Sequence, residues 1–177
     1  FMACSITTIY RENDIHEIEV LLAYLTELGV DGFMMSPAYG YTAVRETNPD
    51  GAEQIFMSRE EIHAKFQQAK QLLKGYKLTL SPIYQEFLRG ERELNCAAWA
   101  NPTRNVKGWK GPCYLITDGH YQTHAELVEK TDWDALGRGK DPRCEHCMVH
   151  CGFEPAAALG MNRQLGDSLK MALWQLT

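Results

Sequence analysis

The sequence predicts an α/β protein: parallel βαβ units first, then a small loop-rich cysteine domain, then a closing helix. Three observations carry this reading. Short β-branched and apolar runs alternate with helices whose starts and stops are legible. After Gly90 that periodicity gives way to Gly, Pro, Trp and Cys. Five of the six cysteines lie between Cys96 and Cys151. The expected division is residues 1–91 for the βα units, 92–154 for the cysteine-rich domain and 155–177 for the closing helix.

Taken in order, residues 3–10 (Ala-Cys-Ser-Ile-Thr-Thr-Ile-Tyr) are small, β-branched and aromatic, as expected of a strand buried on both faces, with Cys4 a small core residue. Asp14 with Glu17 has a capping-box pattern, Ile18, Leu21, Leu22 and Leu25 form one apolar stripe, and Gly29 stops the helix. Val30 to Met35 reads as a second strand. Ser36 to Met57, rich in Gly, Pro and Tyr, reads as a long loop at the carboxyl end of that strand, where α/β proteins carry function. Tyr39, Tyr41 and Arg45 on it are the candidates for lining a ligand pocket. Ser58 and Glu61 cap the next helix, with a stripe of Ile62, Phe66, Ala69 and Leu73, and Lys77 to Leu80 reads as a third strand.

Three parallel strands leave sheet edges unprotected, so further βα units are expected before Phe1. Beyond Gly90, irregular loops are expected around Trp99 and Trp109. Thr123 and Glu126 cap a helix, 132–140 is a turn-rich linker, and Met161 to Leu176 is the closing helix.

Composition bounds the function. An apolar fraction of 45% supports a real core, and a net charge of -5 supplies no basic field for nucleic acid, which is not an expected partner. No run reaches the roughly 18 apolar residues that span a bilayer, and the N-terminus lacks signal-peptide features. The expected compartment is the cytoplasm, where clustered cysteines favour metal over disulfides.

Cys144 and Cys147 form a Cys-x2-Cys pair, whose tight loop aims both sulfurs at one centre while its N-H groups face them. The remaining ligands come from Cys96, Cys113 and Cys151, with His146 and His150 as flanking groups. Five thiols for four places leaves one spare, and spacing alone leaves zinc and iron-sulfur both open. The Trp99 and Trp109 pair is expected to shield the centre from water.

The order Cys96, eleven residues, Gly108, four residues, Cys113, then Cys144-x2-Cys147, resembles the SPASM and twitch auxiliary-cluster domains of radical SAM enzymes. More closely, Asn101-Pro102-Thr103-Arg104-Asn105-Val106, Pro112-Cys113-Tyr114-Leu115, Thr131-Asp132-Trp133-Asp134-Ala135 and Cys144 to Cys151 followed by Gly152-Phe153-Glu154 are similar to the hopanoid-biosynthesis radical SAM family, the adenosyl-hopene transferases. Ser36-Pro37-Ala38-Tyr39-Gly40-Tyr41 and Phe87-Leu88-Arg89-Gly90-Glu91-Arg92-Glu93 agree.

That resemblance implies the last βα units of a partial TIM barrel. It implies a [4Fe-4S] cluster, S-adenosyl-L-methionine, and addition of the 5'-deoxyadenosyl radical to a hopene, diploptene, giving adenosylhopane. It also implies an apolar triterpene substrate, an electron donor such as flavodoxin or ferredoxin, and peripheral membrane contact. The superfamily's Cys-x3-Cys-x2-Cys motif is absent, so the radical-generating cysteines are expected upstream. A zinc-stabilised interaction domain and an electron-transfer iron-sulfur module are the alternative readings.

Overall fold

The computed structural model describes residues 2–176. It is mixed α/β with two small sheets and no closed barrel among the described residues. β1 (Cys4–Ile9) pairs in parallel with β2 (Gly32–Pro37) through α1 (Ile15–Glu27). The expected caps form: Asp14 accepts from the Glu17 amide at 2.8 Å while Glu17 reaches back to the Asp14 amide. Gly29 turns the chain at φ 84°, a conformation that favours glycine.

The stretch expected to be one long loop is instead folded into α2 (Thr42–Thr47) and α3 (Pro49–Ile55). Pro49 sits in the first turn of α3, where its missing amide costs nothing, and the Asn48 side chain accepts from the Gly51 amide at 3.1 Å. α4 (Arg59–Leu73) carries the Ser58–Glu61 box and buries Ile62, Phe66, Ala69 and Leu73, as its stripe predicts.

The third strand is reduced to one parallel bridge, Phe33 with Leu78, because Ser81 and Pro82 turn the chain at once into α5 (Pro82–Leu88). The order β1, β2, residue 78 is still that of consecutive parallel units. The far side of residue 78 is covered by Trp174, whose indole N-H donates to the Leu78 carbonyl at 3.3 Å.

The other edge is open among the described residues. β1 is therefore not buried on both faces: Ile6 is 70% exposed, and Cys4 is exposed rather than a core residue.

The second half is more ordered than irregular loops. β3 (Arg104–Asn105), β4 (Gly108–Pro112) and β5 (Thr117–Tyr121) make an antiparallel sheet, with α6 (His124–Lys130) packed on it. α7 (His150–Ala158) and α8 (Asp167–Gln175) follow. The closing helix starts at Asp167, not Met161, because Gly160, Asn162 and Gly166 all take positive φ.

One core joins the halves: Leu22, Met35, Ile62, Tyr84 and Phe87 pack with Met148 and Phe153. Among the described residues no helix is long and apolar enough to cross a membrane.

Candidate metal centre

Four connections hold the cysteine-rich half against the carboxyl ends of the βα units. The Tyr84 hydroxyl, fully buried on α5, donates to the Met148 carbonyl at 2.6 Å. The Glu154 carboxylate on α7 accepts from the Ser81 amide at 2.6 Å. Phe87 stacks on Phe153 at 4.3 Å between ring centres, and the His150 ring nitrogen Nδ1 meets the Ser36 hydroxyl at 3.1 Å at the end of β2. α7 is thereby fixed, and with it the start of the segment that carries Cys151.

Five thiols from separate segments meet around one cavity: Cys96 after α5, Cys113 after β4, Cys144 and Cys147 on the loop before α7, and Cys151 in its first turn. All six cysteines of the chain are free thiols. The Cys-x2-Cys loop closes as expected, with the Cys147 amide donating to the Cys144 carbonyl at 3.1 Å. The Ile116 amide donates to the Cys113 sulfur at 3.3 Å.

Burial pushes the Cys96 and Cys151 thiols up to about 12 and raises Cys144 and Cys147 as well, with neighbouring thiols adding to the effect. Backbone amides oppose it in part: Gly137 at Cys144, Val149 at Cys147 and Ala98 at Cys96. Without a cation these sulfurs stay protonated at neutral pH. A bound metal would supply the positive charge that makes them thiolates.

The donor set, soft and gathered on one cavity, fits a thiolate-bound metal. The cavity is small, about 30 Å³. Among the described residues no three His, Cys, Asp or Glu side chains are arranged to hold a metal ion.

Tyr39 reaches this cavity from the end of β2, and its hydroxyl donates to the Arg143 carbonyl at 3.3 Å. Burial and the nearby thiols raise its pKa above the ordinary tyrosine value. Tyr39 and Arg45 also line an adjoining groove of about 280 Å³ with Arg143, His146 and Cys147. Tyr41 packs edge-on against Tyr39 at 5.2 Å but does not line that groove.

Trp109 is not at the thiols: it packs against His124 at 5.1 Å, on the sheet side of α6. Trp99 is nearly half exposed beside Cys96 in a separate cleft.

Sequence reasoning passed over Arg143. Its guanidinium donates to Asp118 on β5 at 2.5 and 3.0 Å and to Asp141 at 2.7 Å, which locks the Cys144 loop to the antiparallel sheet. Its pKa rises, chiefly through the Asp141 hydrogen bonds. A lone arginine one residue before a cysteine carries no local signal of this.

Gly152 is the close-approach point of the site. A Cβ there would stand 2.3 Å from the Cys96 sulfur. Gly152→Ala is expected to push Cys96 out of the cavity and cost about 1–3 kcal/mol, read as a lower denaturation midpoint and as loss of Cys96 from the metal-protected thiols in alkylation mapping. An unchanged midpoint and unchanged Cys96 protection would refute the close approach.

Fold and site together define a cysteine-rich α/β protein whose thiols converge beside the end of a parallel strand. The chain belongs to the family described as Domain of unknown function (DUF3463), which matches residues 33–171 and so includes all five converging cysteines. No curated protein and no solved structure matches the chain.

Proposed function

We propose that the five-thiol cavity holds an iron-sulfur cluster, and that the chain is the C-terminal part of a radical SAM enzyme of the adenosyl-hopene transferase type. The convergence of Cys96, Cys113, Cys144, Cys147 and Cys151 on one cavity, against Tyr39 from the strand end, carries the reading. Consecutive parallel units with an open β1 edge are compatible with a partial TIM barrel in which a further strand pairs there. The exposed Ile6 on β1, and Val20 and Tyr24 on α1, are the apolar surface such a neighbour would cover.

A cluster here would be of the auxiliary kind, its coordination filled by protein thiolates, while the cluster that cuts S-adenosyl-L-methionine would be held by cysteines upstream. Within this chain, Cys144 and Cys147 present their sulfurs from one tight loop, Arg143 holds that loop to the sheet, and Tyr39 closes the cavity toward the groove with Arg45. That groove is where a polar ligand would lie beside the centre, with an apolar triterpene as the proposed substrate, a flavodoxin or ferredoxin as electron donor and peripheral contact with the membrane that holds the substrate.

A zinc site is the second reading, favoured by the small cavity, since a single ion needs less room than a cluster. The resemblance to the auxiliary-cluster domains of radical SAM enzymes favours the cluster, since either metal takes four thiolates. Anaerobically prepared protein is expected to be brown, with iron and acid-labile sulfide. The same chain joined to upstream barrel units is expected to release 5'-deoxyadenosine and adenosylate a hopene, read by chromatography. Stoichiometric zinc without sulfide would overturn the cluster reading, and absence of both products from the cluster-loaded protein that includes the upstream units would overturn the reaction.

A further inference from the structure

We propose that a second cleft, behind the thiols, binds a flat, largely apolar molecule carrying one carboxylate-type anion. This goes beyond the metal reading and stands without it. The cleft has a volume of about 770 Å³, within the range of small-molecule sites, and touches the outer side of Cys96, Cys144 and Cys147. Part of its wall is apolar and aromatic, formed by Leu94, Trp99, Trp133, Phe153 and Met161, and the rest carries charged side chains. Trp133 is held in place by its indole N-H, which donates to the Val128 carbonyl at 2.9 Å, so one wall is preorganised.

The anionic requirement comes from Arg59, at the first position of α4. It is only 3% exposed, borders the cleft, and lies over the Phe87 ring at 4.8 Å. Its Nε is buried with no hydrogen-bond partner. Its ion pair is with Glu93 at 2.5 Å, and that carboxylate is 66% exposed. A guanidinium has five donors in a fixed fork that suits a carboxylate bidentately, and a buried one left under-satisfied is costly. Glu93 thus occupies, from the solvent side, the place that a ligand carboxylate would take from within the cleft.

The rim limits the ligand's charge. Arg138 is already paired with Glu145 at 3.0 Å, and the acidic Asp134 also lines the cleft, so one anion and not several is accommodated. The two tryptophans favour a flat body over a compact polar one.

Titration calorimetry of the full chain with 1-naphthoate tests this, with methyl 1-naphthoate as the uncharged probe. One-to-one binding of the acid is expected, at least tenfold tighter than the ester. Arg59→Met and Trp133→Leu should each weaken it tenfold or more, and Arg104→Ala, on exposed β3, should not. Glu93→Gln removes the competing carboxylate and should tighten binding several-fold, a gain that keeps the test alive if Arg59→Met does not fold. Absence of saturable binding, equal affinity for acid and ester, or weaker binding in Glu93→Gln overturns the proposal.

Discussion

Serine in place of Cys147 is expected to strip the centre of metal and open residues 95–154 to protease. Cys147 borders all three cavities of the site: the thiol cavity, the Arg45 groove and the Arg59 cleft. Its amide closes the loop on Cys144, and its thiol feels those of Cys96, Cys144 and Cys113. A serine oxygen is a harder donor on a shorter bond and does not substitute for thiolate at a soft metal. Metal affinity at a structural site is folding free energy, on the order of 10 kcal/mol for thiolate-rich zinc peptides. The antiparallel sheet beside the thiols is three strands of two to five residues and has little core of its own. Cys4→Ser, on the exposed edge of β1, is the control and should keep both metal and protection. Full metal content and undiminished protection in Cys147→Ser would remove this residue from the ligand set.

What was legible in the sequence was local. The boxes at Asp14 and Glu17, Ser58 and Glu61, and Thr123 and Glu126 all form, because each needs only three intervening bonds of chain to find its partner. One helix beyond those expected follows the same logic, and another does not. Ser81-Pro82 is a cap followed by a first-turn proline, and α5 starts there. α7 was hidden by Pro155 inside it and by the cysteines before it, which read as loop. The closing helix is shorter than its apolar periodicity suggests because Gly160 and Gly166 both take positive φ.

Strands are less legible because pairing is not local. Residues 77–80 have strand composition, yet Leu78 alone forms a bridge, since the chain turns into α5 four residues later, at Pro82. The thiols announced themselves by clustering in sequence. The partners that position them did not: Tyr39 and Arg143 are 104 residues apart, and His150 and Ser36 are 114. No pattern within either segment encodes those contacts, which exist only once the core of Tyr84, Phe87, Met148 and Phe153 has formed.

Arg92→Met is expected to cost about 3–5 kcal/mol, with a pH signature that identifies the cause. Arg92 is buried and donates through both terminal nitrogens to Asp167, at 2.9 and 2.8 Å, and through Nε to Glu86 at 2.8 Å. Asp167, also buried, is the first residue of α8 and accepts from the Gln164 amide at 2.7 Å. The pair therefore fastens the last helix to the segment after α5, and its loss leaves a buried carboxylate without its cation. The Arg92 hydrogen bonds hold the Asp167 carboxyl down at about 2, below its ordinary value. A depressed carboxyl contributes stability that is complete above its unfolded value, near pH 4, and is lost as pH falls through about 2. Native protein should thus lose about 2 kcal/mol across that interval on account of this group. Arg92→Met should show little of that loss, because Asp167 no longer binds protons more weakly when folded. Arg92→Met combined with Asp167→Leu should recover much of the stability, since an apolar pair replaces the buried ions. Denaturant titrations at pH 7, 4 and 2.5 decide the matter: a single variant as stable as the parent at pH 7, or one with the parent's full acid sensitivity, would show that the pair does not hold α8.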